Sequence, residues 1–133
     1  MLIVDTNVVA YLLIEGEKTE QARSVWAADP DWRAPLLLSY ELANVFRGLV
    51  RRRALSLETG LGGMASAVSL VHAMKHEPSA ARILEIAVKL DLTAYDACYL
   101  ASAESEGGPL VTEDARLLRA APQIARSLSS FGG

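Results

Sequence analysis

Four carboxylates stand far apart in this chain, Asp5, Glu41, Asp96 and Asp114, and each falls where an apolar run ends or a helical pattern begins. In a parallel α/β domain such places share one edge of the sheet, outside the carboxyl ends of the strands, where ligands bind. Separation along the chain then becomes proximity in space. A cluster of acids with no basic partner beside it has one main chemical use, to hold hard divalent cations such as Mg²⁺ or Mn²⁺ through oxygen ligands. Two carboxylates ~4 Å apart repel by roughly 1 to 4 kcal/mol at an effective dielectric between water and protein surface, so the cluster needs cations to persist. Two such ions ~3.5 to 4 Å apart activate a water and stabilise the leaving oxygen of an in-line phosphodiester displacement.

Each acid also has a local explanation. Asp96 stands three residues after Thr93, the spacing of a capping box. Asp114 follows Thr112 and Glu113 at a helix start, where acids favour the positive end of the dipole, and Glu41, two residues after Ser39, fits the same argument. Asp5 suits an Asx turn or a cap. Local capping does not account for an acid closing the first strand, nor for a shared edge.

The elements that must position these acids alternate strand and helix. Leu2-Ile3-Val4 is a short strand ending at Asp5, and a helix over Val8 to Ile14 follows, with Thr6 or Asn7 as its cap. Thr19 to Ala28 reads as a second helix, closed by Asp29-Pro30-Asp31. Ala34 to Leu38 is expected to be the next strand, with Ser39 capping a helix that runs to about Arg53 and holds Glu41 in its first turn. Leu57 to Val71 is helical in pattern, although Gly60, Gly62 and Gly63 each weaken a helix by roughly 1 kcal/mol. Val71 to Glu77 fits a short strand or a helix end. Helices from Pro78-Ser79 through Leu90 and from Thr93 to about Glu104 come next, then a strand at Leu110-Val111, a helix over Glu113 to Ala121, and a last strand between Ile124 and Leu128.

Composition bounds the function classes. A chain of 133 residues, 51% hydrophobic and 22% charged, suits one globular domain over residues 1–133 and argues against disorder. No apolar run approaches the roughly 20 residues that cross a bilayer, and the amino terminus has no basic leader, so no membrane association and a cytoplasmic location are expected. The net charge of −3, from 13 basic and 16 acidic residues, becomes about neutral once four acids are assigned to a metal. A local basic strip remains at Arg47, Arg51, Arg52 and Arg53, where the planar guanidinium suits phosphate contacts; a solvated helix end whose cations offset the dipole is the plainer account. Cys98, the single cysteine, sits among apolar neighbours as a small buried hydrophobe. His72 and His76 are four apart, but Ala73 stands where a zinc protease places its glutamate, which argues against a zinc site.

Asp5-Thr6-Asn7 after a strand, Ser39-Tyr40-Glu41-Leu42-Ala43-Asn44-Val45, Tyr95-Asp96-Ala97-Cys98-Tyr99-Leu100-Ala101 and Leu110-Val111-Thr112-Glu113-Asp114-Ala115-Arg116-Leu117 together resemble the PIN domain, in particular the VapC-like toxins of toxin–antitoxin pairs. The resemblance runs over nearly the whole chain. It implies a three-layer α/β/α sandwich around a short central parallel sheet, Mg²⁺- or Mn²⁺-dependent ribonuclease activity on RNA, a VapB-like antitoxin and a homodimer. Asp5, Glu41 and Asp96 match the family's three main acids and Asp114 the fourth, while Asn7 and Thr112 match supporting polar positions. Glu113, beside Asp114, departs from the small or polar residue usual there, so either acid could reach the metal. The glycines at 60 to 63 and the tail Ser129-Ser130-Phe131-Gly132-Gly133 also depart from the pattern. Two other readings compete: a receiver-like signalling domain, disfavoured because Lys18, Lys75 and Lys89 all lie away from a late strand end, and a PIN-fold nuclease outside any toxin–antitoxin pair.

Overall fold

In the computed structural model, which describes residues 1–131, the apolar run after Met1 forms β1 (Leu2–Val4) and turns at Asp5 into α1 (Thr6–Leu13). The chain continues through α2 (Thr19–Ala28), β2 (Trp32–Ala34), α3 (Leu37–Arg51), α4 (Leu57–Leu70), β3 (Val71–Ala73), α5 (Ala80–Leu90), α6 (Ala94–Glu106), β4 (Leu110–Val111), α7 (Ala115–Ala120) and β5 (Ala125–Arg126), and reaches a 3₁₀ turn at Leu128–Ser130. Gly132 and Gly133, at the end of the tail, lie outside the described residues. No helix among the described residues is long and apolar enough to cross a membrane.

The strands form one parallel sheet in the order β3-β2-β1-β4-β5. Alternation along β1 assigns the layers, because successive strand side chains point to opposite faces. Leu2 and Val4 pack with Val8, Val9, Val25, Leu42 and Phe46 from α1 to α3, whereas Ile3 packs with Ile86, Leu100 and Leu117 from α5 to α7. Helices α1 to α4 therefore cover one face and α5 to α7 the other, giving the expected α/β/α sandwich. Ile3, Leu42, Leu100 and Leu110 are essentially inaccessible, and burying such a side chain contributes roughly 1.5 to 3 kcal/mol.

The order of strands also fixes where a ligand binds. From β1 the chain adds β2 and then β3 on one side, and then returns to place β4 and β5 on the other. Strand order reverses between β1 and β4, and in open α/β sheets the crevice opens at that switch point, beyond the strand carboxyl ends. Asp5 follows β1 and Asp114 lies just beyond β4.

Several boundaries differ from the sequence expectations for physical reasons. The second strand is Trp32–Ala34, not Ala34 to Leu38: Trp32 is fully buried, edge-on to Trp26 at 5.2 Å and 75°, and Leu38, Leu42 and Phe46 form the buried stripe of a helix instead. That helix begins at Leu37 with Leu36 at its cap position and no side-chain cap. Ser39 lies inside it. Its start is held by a distant group, since the Leu36 N–H donates to Glu77 Oε1 at 2.8 Å. Glu41 consequently sits beyond the first turn. Helix α1 starts at Thr6, capped by Asp5 rather than by Thr6 or Asn7. One glycine of α4 has a packing reason: a Cβ on Gly63 would fall 2.3 Å from the Phe46 ring, so glycine there lets α4 approach α3 closely, whereas a Cβ on Gly62 would meet nothing.

Candidate active site

Asp5 is the most constrained of the four acids. As the N-cap of α1 its Oδ1 accepts from the Val8 N–H at 3.0 Å, and its Oδ2 accepts from the Thr112 hydroxyl. The Thr112 Oγ1 in turn accepts from the Asp114 N–H at 3.0 Å, so a fully buried threonine ties the end of β1 to the start of α7. Asp5 is 6% exposed, and burial, with the charges of Asp114 and Glu41 adding to it, pushes its carboxyl from 3.8 up to about 6 against the opposing bonds from Thr112 and Val8. A carboxylate kept this dry is poised to take a cation, because a bound positive charge restores what desolvation removed.

Glu41 enters from α3 on one face of the sheet. Its Oε1 accepts from Tyr99 Oη at 2.6 Å and from Thr6 Oγ1 at 2.9 Å, while Oε2 accepts from no group among the described residues. Asp96 enters from α6 on the opposite face; its N–H donates to the Thr93 hydroxyl at 3.1 Å, so Thr93 caps the helix through the backbone of Asp96, leaving the carboxylate out of the Thr93 backbone bond a capping box would add. Burial, then the charges of Asp114 and Glu41, raise the Asp96 carboxyl above its ordinary range. Asp114 caps α7, with Oδ1 accepting from the Arg116 and Leu117 N–H groups at 2.8 and 3.1 Å.

These four acids line one cleft of about 250 Å³, together with Thr6, Asn7, Asn44, Val45, Tyr99 and Leu117. No lysine or arginine is among the lining residues. Asn7 is brought to the cleft as expected, and Thr112 sits behind it, bonded to Asp5. Glu113 is not brought there: its Oε1 pairs with Lys18 Nζ at 2.9 Å and its Oε2 accepts from the Leu128 N–H at 3.2 Å. The geometry thus separates the two adjacent acids. Arg47 and Arg51 lie further along α3 beside a separate apolar hollow with Phe46, Leu57 and Leu61, and Arg52 and Arg53 follow the end of the helix.

Thr6, Asn44 and Tyr99 went unrecognised in the sequence as members of the site, though a signal existed. Asn44 and Tyr99 each stand three residues after an acid, on the same helix face, and Thr6 directly follows Asp5.

Among the described residues, no group of three or more His, Cys, Asp or Glu side chains closes into a ready-made metal cage. The donor set nevertheless fits a hard, hydrated cation. It offers carboxylate and amide oxygens with no competing cation, and Mg²⁺ keeps several waters while taking only one or two carboxylates directly.

Comparison with known proteins identifies the family. The PIN domain family model matches residues 2–122. Ribonuclease VapC3 of Pyrobaculum aerophilum is 31% identical over 127 residues, 92% of this chain and 96% of that protein. Among solved structures, PAE2754 from Pyrobaculum aerophilum superposes with a TM-score of 0.79 at 23% identity, covering 97% of this chain and 91% of that one. A toxin–antitoxin complex from Klebsiella pneumoniae gives a TM-score of 0.70 at 20% identity, covering 96% and 98%. A family model that accounts for β1 through α7, and a relative this similar over nearly its full length, place the chain in the PIN domain family.

Proposed function

We propose that this protein is a Mg²⁺- or Mn²⁺-dependent endoribonuclease, and the toxin of a VapBC-type pair restrained by a VapB-like antitoxin. The observation that carries the reading is the convergence of Asp5, Glu41, Asp96 and Asp114, from four separate elements, on one cleft at the switch point of the sheet. The name of Ribonuclease VapC3 supports the reaction and the Klebsiella complex supports the partner. A homodimer working in the cytoplasm completes the proposal.

A divalent cation held by these acids would supply a nucleophile from water at neutral pH and would offset charge on the phosphodiester oxygens. The chain's own residues prepare for it. Thr112 and the Val8 N–H fix both oxygens of Asp5, Tyr99 and Thr6 fix Oε1 of Glu41 and leave Oε2 without a donor among the described residues, and the α7 cap fixes Asp114. These bonds hold the carboxylates in place before anything binds, so little reorganisation is needed. Val45 and Leu117 form apolar walls that limit water. Asn7 offers an amide at the exposed rim. Arg47, Arg51, Arg52 and Arg53 are assigned to the outer reach of a bound RNA.

RNA cleavage with Mg²⁺ or Mn²⁺, with EDTA and Asp5→Asn controls, tests the reading. Chelation and the substitution should each abolish cleavage; undiminished cleavage by Asp5→Asn would put the chemistry elsewhere.

A further inference from the structure

The acid cleft contains no basic side chain, yet an RNA strand carries a phosphate at every linkage on either side of the one being cut. Directly behind the wall formed by the starts of α6 and α7 lies a second, larger cleft of about 630 Å³. It opens between the end of α5 at Asp91, the α6 cap Thr93, and the outer face of α7 at Arg116, Arg119 and Ala120.

No residue lines both clefts, but neighbouring residues at the starts of α6 and α7 connect them. Thr93 accepts from the N–H of Asp96, which lines the acid cleft, and itself lines the larger one. Arg116 donates its backbone N–H to Asp114 on the acid side, and its charge acts on Asp96, yet its side chain belongs to the larger cleft. Along α7, Leu117 faces the acids while Arg116 and Arg119, three residues apart, share the other face.

Neither arginine has a carboxylate partner among the described residues. Arg23, Arg33 and Arg82 are paired with acids at 2.7 to 3.2 Å; the arginines of α3 are as free as these two, but Arg116 and Arg119 alone line a cleft beside the acids. Asp91 is the one acid lining the larger cleft and pairs with neither arginine, so the lining carries a net positive charge. Two uncommitted guanidinium groups on one wall provide the fork geometry that suits phosphate oxygens.

We propose that this cleft holds a phosphate neighbouring the scissile one in an RNA strand, with Arg116 and Arg119 as its positioning residues. The proposal rests on the ribonuclease reading and adds a direction to it: the strand leaves the acids across the start of α7.

The test uses the full chain with Mn²⁺ and compares wild type, the double variant Arg116→Gln/Arg119→Gln and the double variant Arg116→Lys/Arg119→Lys. Two substrates are cleaved: an oligoribonucleotide long enough to span both clefts and a diribonucleotide, which has a single phosphate and cannot reach the second. For the oligoribonucleotide the glutamine variant should raise KM about tenfold with kcat little changed. The dependence of log kcat/KM on log salt should become shallower by about 0.7 for each phosphate that is no longer neutralised. Diribonucleotide cleavage should be unaffected, and the lysine variant should keep most of the salt dependence. Unchanged KM and salt slope in the glutamine variant would overturn the proposal, whatever happens to association with a protein partner. An equal loss on both substrates would also overturn it, by showing a general effect on the site. If wild type cleaves neither substrate, the ribonuclease reading falls and this proposal falls with it.

Discussion

The acid cleft at the switch point and the arginine run at the end of α3 are both concentrations of one charge, and they are built in opposite ways. The acids are drawn partly or wholly out of water, and Asp5, Glu41 and Asp114 have oxygens fixed by named donors. Arg51, Arg52 and Arg53 are exposed, form no salt bridge among the described residues, and end a helix whose dipole favours them there. Carboxylates gathered in a dry cleft oppose folding: at Asp5 burial raises the carboxyl, and the charges of Asp114 and Glu41 add to it. Like charges on a solvated helix end have almost no such effect. Where a fold tolerates an unfavourable cluster, the compensation comes from a ligand; where the cluster is harmless, its presence says little about chemistry.

The largest effect that can break this contrast is at Asp5. Asp5→Asn should lower kcat by at least roughly 10²- to 10³-fold, and yet raise the melting temperature of the metal-free protein at neutral pH. The sign follows from the titration. Folding raises this carboxyl from 3.8 to about 6, so between those values the folded state holds the additional proton and stability falls as pH rises. Above pH 6 the full penalty applies, about 3 kcal/mol, and the asparagine removes much of it. Melting curves of the two proteins at pH 4 and pH 7.5 check this: the gap in favour of the variant should be wide at the higher pH and narrow at the lower. The same titration predicts that wild-type kcat/KM declines as pH drops below about 6, because the proton then competes with the cation for Asp5.

A smaller effect is expected at Tyr99. Tyr99→Phe removes the 2.6 Å bond to Glu41 Oε1, which should cost about 1 kcal/mol of stability and about tenfold in activity, as Glu41 loses its fixed orientation. Equal activity of the two proteins would show that Thr6 alone orients Glu41. At the solvated end of the comparison, Arg51→Glu should leave stability within about 0.5 kcal/mol and weaken RNA binding modestly and in a salt-dependent way. The smallest effect is predicted for Glu113→Gln. Its carboxylate is committed to Lys18 and the Leu128 N–H, so kcat should be unchanged and stability should shift by no more than ~1 kcal/mol.

What the sequence made legible follows the range of the forces involved. Hydrophobic alternation and local caps are short-range, and they located β1, α2, α5 and β4 almost to the residue, with Thr93 opening α6. The positions of Asp5, Asp96 and Asp114 were legible for a related reason, since each lies at a strand or helix end, whereas Glu41 sits a turn inside α3. The start of α3 was not legible, because it depends on Glu77, 41 positions away. Nor was the choice between Asp114 and Glu113, which is made by Lys18 and the Leu128 backbone. The same holds for the part played by Tyr99: it reads as an apolar neighbour of Cys98 until α6 is placed against α3 and its hydroxyl meets Glu41. Long-range partners decide these points, and no local pattern carries them.

If the four acids form a cation site, the metal-free protein should take up a divalent ion. Calorimetric titration of metal-free protein with Mn²⁺, paired with melting curves, tests it most directly. Wild type should bind Mn²⁺ and gain stability, about 2.7 kcal/mol at a hundredfold excess over Kd, while Asp5→Asn should bind weakly and gain little. Equal binding and equal stabilisation in the two proteins, or none in wild type, would contradict the account.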